Sequence, residues 1–279
     1  MQDRLKLKQK QKIVIKIGTS SLTNQEGAID RVKIGHIARV LSELSKQGRK
    51  VMLVTSGAIA VGASKLGYSR KPTELSEKQA LAAIGQAELI NIYAEAFQEY
   101  NCGVAQLLLT KDGITNPVRR ENSRNTLNAL LNMGIIPIIN ENDTIATDEI
   151  EIGDNDTLSA YVSVVADADL LIILSDIDGL YSGDPRIDPN AKIIHKVYDL
   201  TKEIEDSAKG AGSSFSTGGM VTKIAAARLC INNEIDMVIA KGDDPAIVFE
   251  VLEGKDMGTL FVAKEGAIVE GQKNYFFFG

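Results

Sequence analysis

Carboxylates and amides crowd one stretch of the sequence. Residues 140–160, NENDTIATDEIEIGDNDTLSA, contain Glu141, Asp143, Asp148, Glu149, Glu151, Asp154 and Asp156, with Asn140, Asn142 and Asn155 among them. Residues 125–185 include no Lys or Arg. Carboxylates gathered without a local counter-charge are costly unless a metal ion, an ammonium group or a distant lysine meets them. Two lysines elsewhere have unusual settings. Lys16 interrupts the apolar run IVIKI at 13–17, where a cation loses its hydration unless it faces an anion; a lysine snorkelling from a sheet edge is the plainer alternative. Lys223 ends STGGMVTK at 216–223, where Gly218 and Gly219 let backbone N–H groups approach a phosphate at a helix N-terminus; the plainer alternative is a flexible glycine-rich linker. Ser56, Gly57 and Ala58 place small residues between a strand and a helix, a third setting that suits an anionic group.

Periodicity gives the elements that would position these groups. Apolar, β-rich runs at 13–21, 51–55, 103–110, 134–139, 169–176, 236–240 and 258–262 alternate with helical stretches. A helix over 30–47 carries Ile34, Ile37, Leu41 and Leu44 on one face and stops at Gly48, with His36 off that stripe. Residues 67–79 read as a surface loop, and a helix follows to Tyr100. Arg119, Arg120 and Arg124 open another helix, either as phosphate contacts or as a solvated face. Residues 140–143 emerge after the 134–139 strand, and the alternation of Glu149, Ile150, Glu151 and Ile152 suggests a short hairpin strand. Asp154, Asn155 and Asp156 then start a helix whose Leu158, Tyr161, Val162 and Val165 share one face. One side chain suffices to cap a helix, so three in a row exceed that need. Residues 1–12, with Arg4, Lys6, Lys8, Lys10 and Lys12, read as a solvated or frayed basic extension without a function.

Strand and helix alternate over residues 13–262, which predicts an α/β chain: a three-layer αβα sandwich with a mostly parallel central sheet. Parallel strands end on one side, so Lys16, Ser56, Asp143, Ser175 and Asp176, each at a strand end, are expected on one rim.

Composition narrows the class. The chain has 279 residues, 44% hydrophobic and 24% charged, with a net charge of −6, the make-up of a soluble globular enzyme rather than of a dedicated nucleic-acid binder. Trp is absent, which removes the best base-stacking platform. Cys102 and Cys230 lie in apolar surroundings and read as reduced thiols, and with His36 and His195 scattered apart they make no zinc site. No apolar run reaches transmembrane length and the first residues carry no signal-type apolar region, so a reducing cytoplasm is the expected setting. Several motifs are excluded by spacing. Asp176, Asp178 and Gly179 start like a calcium loop, but the closing ligands are out of register. The 210–223 glycine-rich run is neither a Walker loop nor a dinucleotide fingerprint, and Ser56 is not in a G-x-S-x-G elbow.

An acidic group, two lysines and two glycine-rich turns on one rim fit phosphoryl transfer to a small molecule. That chemistry needs positive charge on the moving phosphoryl, metal on the polyphosphate and polar groups on the acceptor. The segments KIGTSSLT, VTSGAIAVG, NENDTIATDEIEIGDNDTLSA, LSDIDGLYSGDPR and STGGMVTK together resemble the glutamate 5-kinase family of the amino-acid kinase superfamily, in order over residues 13–279. The resemblance implies the amino-acid kinase fold, with a glutamate-binding lobe at 13–165 and a nucleotide-binding lobe at 166–279. It implies transfer of the ATP γ-phosphate to the γ-carboxylate of L-glutamate, with Mg²⁺, as the first step toward proline. By the same resemblance Lys16 and Lys223 flank the transferring phosphoryl and Asp156 holds both lysines. Ser56, Asp143 and Asn155 bind glutamate; Lys16, Ser175, Asp176, Thr217, Gly218, Gly219, Met220, Val221, Thr222 and Lys223 bind nucleotide. A homo-oligomer, inhibition by proline and contact with a glutamyl-phosphate reductase are also implied. Two departures stand out: Ser216 replaces a glycine common in the family's nucleotide loop, and the chain stops at KNYFFFG, about where many members begin a PUA domain, so a form without it is expected. Acetylglutamate, aspartate, carbamate and uridylate kinases share the superfamily, and GTSS after Lys16 together with GDND favours free glutamate. A non-catalytic amino-acid sensor and a metal-dependent phosphohydrolase are the rivals from other classes.

Overall fold

A computed structural model of the chain describes residues 2–24, 28–68, 70, 72–145, 155–210, 219–264 and 266. In chain order its elements are α1 (Gln2–Lys6), β1 (Lys12–Ile17), α2 (Arg31–Lys46), β2 (Lys50–Val54), α3 (Ala58–Lys65), α4 (Leu75–Gln98), β3 (Val104–Leu109), α5 (Lys111–Thr115), α6 (Pro117–Asn132) and β4 (Ile136–Glu141). There follow α7 (Asn155–Val165), β5 (Leu170–Ser175), β6 (Lys196–Val197), α8 (Lys202–Gly210), α9 (Met220–Ile231), β7 (Asp236–Lys241), α10 (Ile247–Leu252) and β8 (Thr259–Phe261). They form two compact units, Ile17–Ile152 on one side and Met1–Lys16 with Gly153–Gly279 on the other.

In the unit Ile17–Ile152 the strand order is β3-β4-β2. Both pairings are parallel, with Val104 opposite Ile136 and Leu53 opposite Ile138. Asp30 caps α2 by accepting from the N–H groups of Val32 and Lys33, and Ile34, Ile37, Leu41 and Leu44 are buried as the pattern demands, with His36 exposed. The polar stretch read as a loop is helical from Leu75 onward, so α4 runs for 24 residues. Leu, Glu, Lys and Gln are all good helix formers, and the polar ones mark a half-buried helix start instead of a break. Helices α3 and α4 meet at two glycines. A Cβ on Gly62 would stand 2.0 Å from the Leu81 carbonyl oxygen, and one on Gly85 would stand 1.7 Å from that of Ala58. The arginines of α6 are engaged locally: Arg119 pairs with Asp112 at 2.5 Å, and Arg120 donates to the Ile114 and Thr115 carbonyls.

In the other unit the order is β1-β5-β7-β8-β6. Strands β5 and β7 are parallel, as are β6 and β8, while β7 and β8 run antiparallel. The α/β class and the mostly parallel pairing are therefore as expected. Helix α7 departs from its one-sided pattern, because every residue from Asp156 to Val165 apart from Thr157 is buried. Ser159 and Ser163 tolerate this by donating their hydroxyls to the Asp156 and Ser159 carbonyls, at 2.6 and 2.8 Å.

The basic N-terminal residues are not frayed. Arg4 is 2% exposed and Leu7 is fully buried. Asp3 accepts from Tyr198 and Lys196, Lys10 pairs with Asp236 at 2.7 Å, and Lys12 donates to the Ala166 carbonyl at 2.6 Å. Each partner is far along the chain, so local polarity said nothing of it. Both cysteines are free thiols, and burial raises the Cys230 thiol well above its ordinary pKa. Among the described residues no helix is long and apolar enough to cross a membrane.

Gly85→Ala is expected to lower stability by about 3 kcal/mol, the upper end for overpacking, because the group it meets is backbone and cannot swing away. A fall in the urea midpoint at unchanged slope checks this; an unmoved midpoint would show that the helices can part without loss.

Candidate active site

Three elements of the discontinuous unit bring ionised side chains to one point. Lys16 lies near the end of β1, Asp156 is the second residue of α7, and Lys223 is in the first turn of α9, which packs against α7. The Lys16 ammonium is 2.5 Å from Asp156 Oδ1, and the Lys223 ammonium donates to Oδ2 at 2.9 Å. The three are 6%, 0% and 4% exposed, in the order Lys16, Asp156, Lys223. One carboxylate thus serves two buried ammonium groups. A buried ammonium group is costly unless an anion meets it. Thr222 Oγ1 lies 2.8 Å from the Gly219 carbonyl oxygen and 3.2 Å from Asp156 Oδ2, which ties the start of α9 to the same carboxylate.

A cavity opens beside Lys223, lined among others by Asp176, Asp178, Tyr181, Ser207 and Met220. Ser175 closes β5 and donates to Asp176 Oδ1 at 3.0 Å. Tyr181 donates its hydroxyl to Asp178 Oδ2 at 2.8 Å, and that hydrogen bond, ahead of desolvation, raises the phenol pKa. Arg186 also lines the cavity, with its guanidinium forked onto Asp184 at 2.9 and 2.8 Å. Gly219, extended at the N-cap of α9, and Met220 stand on the wall, whereas Val221 is 54% exposed and lies outside the lining. Among the described residues no three or more of His, Cys, Asp and Glu are grouped to hold a metal. Magnesium, which takes one or two carboxylates and fills its octahedron with phosphate oxygens and water, fits the donor set that Asp176 and Asp178 offer in this cavity.

The unit Ile17–Ile152 holds Ser56 and Asp143. Ser56 follows β2, and Gly57 after it adopts φ +96° at the N-cap of α3, a left-handed conformation that favours glycine. Asp143 lies in the turn after β4, where the Asn142 N–H donates to the Leu109 carbonyl at 2.8 Å. Strand β4 runs through Glu141, so Asn140 and Glu141 belong to the strand and only the following residues form the turn. Gln86, buried on α4, donates to the Glu141 carbonyl at 3.2 Å and accepts from Gln106 at 3.2 Å. Nothing in the local sequence singled out Gln86, since its role is visible only once α4 crosses the end of β4. Asp178 and Tyr181 were also missed, although LSDIDGLYSGDPR contained them. Asn155 begins α7. Thr217, Gly218, Asp148, Asp154 and the expected hairpin at 149–152 lie outside the described residues.

The chain is thus α/β with mostly parallel strands, and a buried cluster of two lysines and one aspartate lies at the starts of α7 and α9 and the end of β1. Residues 11–241 match the model of the amino acid kinase family, and the chain belongs to that family. The glutamate 5-kinase of Clostridium perfringens is 50% identical over 267 residues, covering 94% of this chain and 99% of that protein. The glutamate 5-kinases of Listeria innocua and Enterococcus faecalis are each 48% identical, covering 94% and 93% of this chain and 96% and 97% of theirs. Among solved structures, UMP kinase from Ureaplasma parvum superimposes with a TM-score of 0.61 at 18% identity, over 91% of this chain and 99% of that one, a likeness of fold.

Replacing Asp156 with Asn leaves two buried ammonium groups without their counter-charge, and about 3–5 kcal/mol of stability should be lost. Chemical denaturation at low salt measures this; a loss below 1 kcal/mol would mean that the cluster is solvated.

Proposed function

We propose that the chain is a glutamate 5-kinase that transfers the γ-phosphoryl of ATP to the γ-carboxylate of L-glutamate. The observation that carries the chemistry is the buried cluster in which Lys16 and Lys223 meet on Asp156; the relatives named glutamate 5-kinase, matched along 94% of the chain, support the acceptor.

Two anions must approach for this reaction, and their repulsion is the barrier that the protein lowers. Lys16 and Lys223 neutralise the phosphoryl oxygens, and Asp156 keeps both ammonium groups aimed. A carboxylate oxygen of glutamate forms a bond to the γ-phosphorus while the bond to the β,γ-bridging oxygen breaks, and ADP leaves with that electron pair. The acceptor is already deprotonated at neutral pH, so no general base is required. Asp143 takes the α-ammonium of glutamate, with Ser56 and Asn155 as hydrogen-bonding partners. Ser175, Asp176 and the residues Thr217, Gly218, Gly219, Met220, Val221, Thr222 and Lys223 hold the nucleotide. Asp176 and Asp178 would hold the magnesium carried on the nucleotide, which would supply further charge neutralisation there.

Of these residues Ser56 and Asp143 belong to the unit Ile17–Ile152, whereas Asn155 and the nucleotide residues belong to the unit with Lys223. The product is a mixed anhydride that water destroys, which favours hand-over to a glutamyl-phosphate reductase. Feedback inhibition by proline at the glutamate site, a homo-oligomeric state and a cytoplasmic setting complete the reading.

Trapping the acyl phosphate as hydroxamate with ATP and Mg²⁺ tests it, with L-glutamate, N-acetylglutamate, L-aspartate or no acceptor. Product with glutamate alone is expected, suppressed by proline; product with another acceptor, or ADP release that ignores the acceptor, overturns the assignment. Lys223→Ala should lower kcat about 10²- to 10³-fold, as for loss of one transition-state donor, and near-normal turnover by a folded variant would remove Lys223 from the mechanism.

A further inference from the structure

Arg4 makes more polar contacts than a solvated extension would need. Its guanidinium donates to the carbonyl oxygens of Met257 at 2.7 Å, Gly258 at 2.9 Å, His195 at 3.0 Å and Lys255 at 3.1 Å, and Nε lies 2.8 Å from Asp256. A guanidinium presents its donors in one rigid plane, so residues 255–258 cannot shift without breaking several bonds together. Their other side is fixed too. Gly254 (φ +78°) passes so close to α1 that a Cβ would stand 2.8 Å from the Arg4 carbonyl oxygen, and on Gly258 (φ +62°) a Cβ would stand 1.9 Å from that of Ile239 in β7.

The held segment leads straight into the wall of the cavity that contains Lys223. Thr259 follows Gly258 and is fully buried. Its hydroxyl accepts the Leu180 N–H at 2.8 Å, and a Cβ on Gly179 would come within 2.7 Å of it. Gly179, Leu180 and Tyr181 line that cavity, and Asp178 is shared with a neighbouring one whose wall includes Met257 and Gly258. We propose that Arg4 is a positioning residue for the nucleotide: through Gly258 and Thr259 it sets the place of the 178–181 loop, and with it the affinity for ATP. The proposal rests on the nucleotide reading given above. Arg4 does not touch the Lys16–Asp156–Lys223 cluster, so the effect falls on nucleotide binding and spares the chemical step.

The test compares Arg4→Met, Arg4→Lys and Thr259→Val with the unaltered chain, by steady-state kinetics, by calorimetric titration with MgADP and by thermal unfolding. Arg4→Met and Thr259→Val should each raise the KM for ATP and the Kd for MgADP about two- to thirtyfold, while kcat and the KM for glutamate stay within about twofold. Arg4→Lys, which keeps the charge near Asp256 but not the planar fork, should fall between. In the double variant the two losses should combine to less than their product, since they lie on one path. A lowered Tm with unchanged nucleotide affinity, or equal changes in both KM values, would assign Arg4 a purely structural role and overturn the proposal. Should Arg4→Met fail to fold, Arg4→Lys and Thr259→Val give the same decision. A chain that binds MgADP yet phosphorylates no glutamate would refute the acceptor and still let the Kd comparison decide on Arg4; one that binds no MgADP overturns both.

Discussion

The carboxylate of Asp156 is the point on which the unit of Met1–Lys16 and Gly153–Gly279 depends. It is fully buried, and it accepts an ammonium group on each oxygen, from β1 and from α9. No other arrangement of these three groups is cheap inside a protein, because a buried charge without a partner costs several kcal/mol. The requirement fixes the start of α7 against the end of β1 and the first turn of α9, and it explains why α7 is buried nearly all round. Ser159 and Ser163 turn their hydroxyls back onto the helix's own carbonyls, which lets a helix with polar residues enter the interior.

Backbone proximity is the second constraint, and it acts where side chains would be in the way. Gly62 and Gly85 bring α3 and α4 close enough that neither could carry a methyl group. That contact sets α4 across the end of β4, where Gln86 reaches the Glu141 carbonyl. Gly57 allows the turn from β2 into α3 that leaves Ser56 at the helix start. Ser56 and Gln86 are thus placed by main-chain geometry, whereas Lys16 and Lys223 are placed by charge.

How much of this was legible depended on whether the signal was local. Lys16 was conspicuous because a lysine in an apolar strand breaks a short-range pattern, and the apolar face of α2 and its stop at Gly48 were readable for the same reason. That Asp156 meets both lysines was not available from spacing; it came from resemblance of whole motifs. Gln86 and the glycine crossing left no mark, since each acquires meaning only through a backbone far away in sequence. The N-terminal residues were misread on the same ground: a basic, polar run looks solvated unless its acceptors are known, and those of Arg4 are carbonyls near residues 195 and 255–258.

The division of the chain has a consequence for the order in which it is made. The unit Ile17–Ile152 is continuous, whereas the other unit needs Met1–Lys16 together with Gly153–Gly279. A ribosome delivers β1 first, yet the strands and helices that complete its unit follow only after the whole intervening unit has emerged. Arg4 waits longest, because the carbonyls it holds lie at residues 255–258. Synthesis therefore favours the continuous unit folding first, in the manner of an inserted domain. The discontinuous unit closes last, so a growing chain carries no assembled Lys16–Asp156–Lys223 cluster until its final third has been translated.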